Sequence, residues 1–278
     1  MTRVCTITPQ LKIGGLYSLF KRVCTKDFFF TGESHDFHEV VCVLSGSVSI
    51  TAGTDVVTLS EGSAIWHPPM EFHSVRAAEG TAPVILVFSF TAEVFPTLKN
   101  RIFSFSTEDR TLLEDVLQTD PSVFIRKNYV LYLKEGHNPL QAQRLMDTLT
   151  LFLLRIFANS TEPSLPPAHT RAHTYTLVTT YIKDNLSSVS GAAQIADACN
   201  MSIIGVQKLF QKYAGVGVMH YVNHLKISHA IEMLRRGHTS KETALMLGFS
   251  NQNYFSTVFK RITGLSPSKY LRQNNQNV

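Results

Sequence analysis

Over the first ninety residues, apolar positions come in short bursts between turn-forming residues. Glu39 to Leu44 is a short, largely apolar run, and Ser47 to Thr51 alternates, with Val48 and Ile50 on one face. Gly46, Gly53, Gly62 and Pro68-Pro69 punctuate the series, and Pro83 precedes a further apolar run, Val84 to Phe90. Short strands at regular spacing predict a β-barrel or sandwich. After Thr107 the period becomes helical: Leu112, Leu113, Val116 and Leu117 share one face, as do Leu145, Leu149, Phe152, Leu153 and Ile156. Residues 159–170 (NSTEPSLPPAHT) are polar, carry three prolines and read as an interdomain linker.

Beyond that linker nothing reads as strand. Ser190 and Thr239 each precede a helix-like stretch, and Thr239 to Glu242 has the form of a capping box. Gly237, after Arg235 and Arg236, suits a helix C-cap. The pattern therefore predicts an α+β chain of two domains: a β-body with appended helices over residues 1–158 and an all-α domain over residues 171–278.

Composition sharpens this division. The net charge is +5, but residues 170–278 hold 12 Lys and Arg against 4 Asp and Glu, whereas residues 1–169 hold 14 against 17. A basic C-terminal part on a slightly acidic N-terminal part points to one half that meets a polyanion. Hydrophobic residues at 44% and charged residues at 17% exclude a largely disordered chain. Cys5, Cys24, Cys42 and Cys199 form no paired motif and are expected as reduced thiols. No apolar run is long enough to span a bilayer, and Met1 to Gln10 lacks the features of a signal peptide, so a cytoplasmic location without membrane contact is expected.

The C-terminal part repeats itself at an offset of 49 residues. Leu209-Phe210 corresponds to Val258-Phe259, Gln211-Lys212 to Lys260-Arg261, Gly215 to Gly264 and Tyr221 to Tyr270. Each copy reads as a short helix, a tight turn (Asn200-Met201 or Gly248-Phe249), a polar-faced second helix and a glycine. That order suits a helix-turn-helix, and two copies could present recognition helices to successive major grooves.

The segment from Ala244 to Tyr270, ALMLGFSNQNYFSTVFKRITGLSPSKY, resembles the signature of the AraC/XylS family of bacterial transcription regulators. The resemblance implies two helix-turn-helix units joined by a long helix, for which Val218 to Arg236 is the candidate. It also implies double-stranded DNA as partner, activation as the commoner behaviour, RNA polymerase as a further partner, and no enzymatic activity. Base-facing positions fall on Ile204, Gln207 and Lys208 in the first recognition helix and on Gln252, Asn253, Ser256 and Thr257 in the second, with Lys260 expected on phosphate. Gln and Asn amides can pair with adenine, and Lys can donate to guanine. This chain departs from the family at Ile203-Ile204-Gly205, an apolar start to a recognition helix, at Thr257, and at Ser240 and Thr243, where apolar residues are usual.

Gly32 to Glu39 with Gly46, and Glu61 to Ser74, resemble the two motifs of a cupin barrel, which implies an effector-binding domain for a sugar or other small metabolite. His35, Phe37, Glu39, Trp66 and His73 are the candidate effector contacts. In metal-binding cupins the corresponding set would be His35, His38, Glu39 and His73. Strand alternation sends His38 and Glu39 to opposite faces while His35, Phe37 and Glu39 point together, so no metal ion and no cofactor is expected. Trp66 reads equally well as a core residue. The Leu145 to Ile156 face would either pair with a second subunit, giving a homodimer, or pack on its own barrel. A domain that only dimerises or binds a protein, and a cupin metalloenzyme, remain as alternative readings.

Overall fold

The computed structural model describes residues 5–78, 80–98, 101–127, 130–159 and 170–274. Most of the expected linker lies outside them. The N-terminal strands are β1 (Lys12–Val23), β2 (Phe29–Glu33), β3 (His38–Ser45), β4 (Ser47–Ala52), β5 (Asp55–Ser60), β6 (Ser63–His67), β7 (His73–Ala77), β8 (Val84–Val94) and β9 (Ile102–Ser104). They form a five-stranded sheet, β1-β8-β3-β6-β9, and a four-stranded sheet, β2-β7-β4-β5. Strand alternation gives the larger sheet two apolar faces. Val41, Val43, Ile65, Ile85 and Val87 meet Val48, Ile50, Val57 and Val75 of the smaller sheet in the barrel interior. Val40, Cys42, Ala64, Leu86 and Phe88 face outward against two helices, α1 (Thr107–Val123) and α2 (Pro139–Ala158).

Those helices settle the alternative left open for the α2 face. Leu145, Leu149, Phe152 and Ile156 are each at most 1% exposed and lie in the core shared with the chain's own sheet. They are therefore not available to a second subunit, and the sequence support for a homodimer through that face falls away. Between α1 and α2 runs a hairpin of β10 (Phe124–Lys127) and β11 (Val130–Leu133) that the helical periodicity did not anticipate.

The C-terminal domain is helical throughout its described residues: α3 (Thr170–Asp184), α4 (Ala192–Ala198), α5 (Ile203–Tyr213), α6 (Val218–Arg235), α7 (Ser240–Met246), α8 (Gln252–Thr263) and α9 (Pro267–Asn274). The repeat predicted from sequence appears as two matching units on either side of the long helix α6. Phe210 and Phe259 are both fully buried, each in its own core cluster. Gly215 and Gly264 both take left-handed backbone, at φ 73° and 77°. The turn between α4 and α5 passes through Asn200 at φ 53°, and that between α7 and α8 through Gly248 at φ 66°. A Cβ on Gly248 would stand 1.8 Å from the Ser187 carbonyl oxygen, so only glycine fits there. The Thr239–Glu242 capping box forms at α7. The departure at Thr243 is housed at a cost: its hydroxyl is buried without a hydrogen-bond partner.

Candidate nucleic-acid interface and sensor site

Each recognition helix is started by a side chain that satisfies a free amide. The Ser202 hydroxyl accepts from Gly205 N at 3.0 Å, and Asn251 Oδ1 accepts from Tyr254 N at 2.8 Å. In α8 the apolar stripe Phe255, Val258 and Phe259 faces the core. The opposite face carries Gln252, Asn253, Thr257 and Lys260, all exposed, with Ser256 half-buried at its edge. Among these, Thr257 Oγ1 donates back to Asn253 O at 3.0 Å, leaving its methyl for apolar contact.

The first recognition helix offers less polar chemistry. Lys208 is exposed and Ile204 is 67% exposed, an outward apolar residue with no core role. Gln207 is only partly accessible, and its Oε1 accepts from Val218 N at 3.4 Å. Gly217, at the N-cap of α6, has no side chain to do this, so Gln207 serves as a surrogate cap. Its expected place among the base readers is therefore weakened.

The second candidate site lies at one end of the barrel. Glu39, at 9% exposure, points into the interior, where Ser89 Oγ donates to its Oε2 at 2.8 Å. His35 Nε2 lies 3.6 Å from Glu39 Oε2, and His73 Nε2 lies 3.3 Å from Glu39 Oε1. Burial alone would raise the Glu39 carboxyl, but the two imidazoles beside it outweigh burial and hold it well below the usual carboxylate range. His67, which like Trp66 precedes the Pro68-Pro69 turn and was expected near the barrel mouth, stacks on His73 with ring centroids 4.4 Å apart and bonds Glu71 Oε2 at 2.8 Å through Nδ1. Its burial, with the charge of His73 beside it, holds its basicity well below that of a free imidazole. Phe37 stacks on His35 at 3.9 Å and on Tyr17 at 4.2 Å, roofing the cluster.

Two of the expected residues belong elsewhere. Trp66 pairs across the sheet with Val40, so alternation turns it to the outer face, where it packs with Phe95 and donates to His38 Nδ1 at 3.0 Å. It is not part of the barrel mouth. His38 goes with it, as strand parity requires, and burial, helped by the charge of His35, lowers its pKa to about 4. Glu33 takes the position that His38 does not fill. It has the same parity as His35 and Glu39, and this alternation was the available clue.

The loop carrying this cluster is bonded directly to the helical domain. Gly32 N donates to Ala214 O at 2.9 Å, and Ser34 Oγ lies 2.8 Å from His224 Nδ1 of α6. Asp36 bonds the hydroxyl of Tyr270 and lies 3.5 Å from Arg235 Nη2, so it reaches both ends of the second unit. Thr51 and Ser74 both donate to Tyr213 O, at 2.5 and 2.8 Å. Phe72, the neighbour of His73, is buried in the core of the first unit, edge-on to Tyr221 at 4.9 Å and to His224 at 5.6 Å. Burial there, with His220 and Arg261 adding positive charge, keeps His224 neutral, its pKa lowered to about 4.

A duplicated helix-turn-helix joined to a β-barrel with a polar mouth defines a transcription regulator with an attached sensor domain. Residues 195–273 match the model of a helix-turn-helix domain family, and residues 16–122 match that of the AraC-like ligand binding domain. The chain belongs to the AraC/XylS family of transcription regulators. It is 24% identical over 242 residues to the HTH-type transcriptional regulator YfiF of Bacillus subtilis, covering 85% of this chain and 77% of that protein. It is 23% identical over 249 residues to the HTH-type transcriptional activator RhaS of Shigella sonnei, covering 86% of each. Among solved structures, ToxT of Vibrio cholerae matches with a TM-score of 0.36 at 15% identity, covering 92% of this chain and 96% of that one. The matched families and relatives are regulators rather than enzymes. No helix among the described residues is long and apolar enough to cross a membrane.

Proposed function

We propose that this protein activates transcription by binding a specific DNA site through α5 and α8, under the control of a small ligand held at the barrel mouth. The observation that carries the reading is the bonding of the end of β2 and the loop after it, at Gly32, Ser34 and Asp36, to the C-cap of α5 and to α6 and α9. A ligand that moves His35 acts on its chain neighbours Ser34 and Asp36, which bond the DNA-binding domain. Such a ligand couples to DNA affinity in the measure that it favours one arrangement of that contact. His35, Phe37, Glu39 and His73 are its proposed contacts. Activation, with RNA polymerase as the partner it would require, is supported by the similarity to RhaS, which is named as an activator. A domain that only dimerises would have no use for buried imidazoles and carboxylates facing one another, which disfavours that alternative.

The basic excess of residues 170–278 makes a direct test available. Affinity of the full-length protein for duplex DNA is expected to fall steeply with salt as phosphate counterions are released. Lys260→Ala, at an exposed position on α8, should weaken binding to all duplexes alike and reduce the slope of log affinity against log salt by about one. A salt-insensitive affinity, or a wild-type protein that binds every sequence equally well, would reject the reading.

A further inference from the structure

The barrel mouth gathers more ligating chemistry than a polar pocket needs. Glu33, His35, Glu39 and His73 each offer one donor atom, and these four atoms lie within 4.8 Å of one another. They come from the end of β2, the loop after it, β3 and the start of β7, so the fold rather than local sequence brings them together.

The hydrogen bonding of the two histidines fixes what they offer. His35 Nδ1 lies 3.0 Å from Phe37 O, and His73 Nδ1 lies 3.0 Å from Glu71 O. A ring nitrogen facing a carbonyl oxygen must carry the proton, so in each neutral ring Nε2 keeps its lone pair. Both Nε2 atoms are buried and make no aligned hydrogen bond, and both face the Glu39 carboxylate, itself an acceptor. Acceptors converging on acceptors in a buried site are unfavourable unless a second proton on the imidazole or a metal cation stands between them. Backbone carbonyls that hold Nδ1–H, and the Ser89 hydroxyl that orients Glu39, are the kind of outer partners that position metal ligands.

We propose that Glu33, His35, Glu39 and His73 bind one divalent transition-metal ion. Two imidazoles with two carboxylates suit iron, manganese, nickel or zinc rather than calcium or magnesium. Bonds of about 2.0–2.2 Å would require each donor to move inward by less than about an ångström. This reverses the sequence expectation of no metal, which rested on a donor set containing His38; His38 is turned to the other face of the sheet, and Glu33 stands in its place. Exposed Glu33 at the rim leaves the ion a route of exchange. As the signal for DNA binding the ion rests on the function proposed above; as a binding site it does not.

The test uses tag-free full-length protein, stripped with a chelator and then dialysed separately against Mn²⁺, Co²⁺, Ni²⁺ and Zn²⁺. One ion per chain is expected for at least one metal by elemental analysis, with Co²⁺ giving visible d–d absorption. Glu33→Gln, at the exposed rim, should weaken binding tenfold or more and shift the Co²⁺ spectrum. His35→Gln should lose the bound ion, and His38→Gln should keep it, with thermal melts confirming which variants fold. If His35→Gln fails to fold, the Glu33→Gln affinity and spectrum decide. Less than about a tenth of an ion per chain with every metal, as doubly protonated histidines would give, overturns the proposal. So does stoichiometric binding that Glu33→Gln leaves unchanged. Neither result alters salt-dependent DNA binding, so failure of the site and failure of the regulator reading are distinguishable.

Discussion

Replacing both Gln252 and Asn253 with alanine is expected to abolish most of the difference in affinity between the protein's operator and scrambled DNA. The two amides stand exposed on α8, in the unit whose recognition helix keeps its polar face free. A good bidentate contact with a base contributes about 1–3 kcal/mol of discrimination, so the pair represents roughly 30- to 25,000-fold if the contributions add. Affinity for scrambled DNA should change little, because neither side chain carries charge. In the first unit the corresponding loss is smaller. Gln207→Ala removes a group already committed to Val218 N, and Ile204 can contribute only apolar contact. Binding of each variant to both duplexes at one salt concentration separates the two units. Greater loss of specificity from Gln207→Ala than from the α8 pair would reverse the ranking.

Phe152→Ala should cost about 3–5 kcal/mol of stability, as expected for a large side chain removed from a filled core. Phe152 is fully buried and meets Phe88 and Phe105 edge-on, at 6.3 and 6.0 Å between centroids. Leu151, the next residue on α2, is 48% exposed and should cost under about 1 kcal/mol when truncated. Urea unfolding of the two variants checks this. Had the face been a subunit interface, Phe152→Ala would instead change the state of association and leave the unfolding midpoint of the monomer nearly unmoved.

The contrast between these helices shows what periodicity can and cannot convey. The apolar stripe of α2 was legible, but a stripe does not say what covers it; only the pairing of β3, β6 and β8 reveals the outer sheet face that it fills. The helix-turn-helix units were more fully legible because the sequence states them twice. Phe210 and Phe259, Gly215 and Gly264, and Tyr221 and Tyr270 recur at one offset, and each pair shares a structural role. Gln207 shows the limit. Its position within the repeat suggested base contact, whereas its bond to a residue eleven positions on depends on how α5 meets α6.

In the barrel, strand parity was the decisive variable. It correctly separated His38 from Glu39 and grouped His35 with Glu39, but it was not carried back to Glu33 or across to Trp66. Trp66 could be placed only once its cross-strand partner, Val40, was known to face outward. The hairpin β10-β11 and the bonding of the loop at residues 32–37 to the helical domain left no periodic trace. Contacts between distant segments, such as Ser34 with His224 and Asp36 with Tyr270, are set by the assembled fold.

The central claim is that two reading heads in one chain recognise one DNA site. Selection of bound duplexes from a random-sequence pool, using full-length protein at fixed salt, tests it most directly. The expected result is a two-part motif with its halves about 10–10.5 base pairs apart, centre to centre, one helical turn. In the Gln252→Ala, Asn253→Ala protein one half should fade while the other persists. A pool that shows no enrichment, or a single box that the double substitution leaves intact, would contradict it.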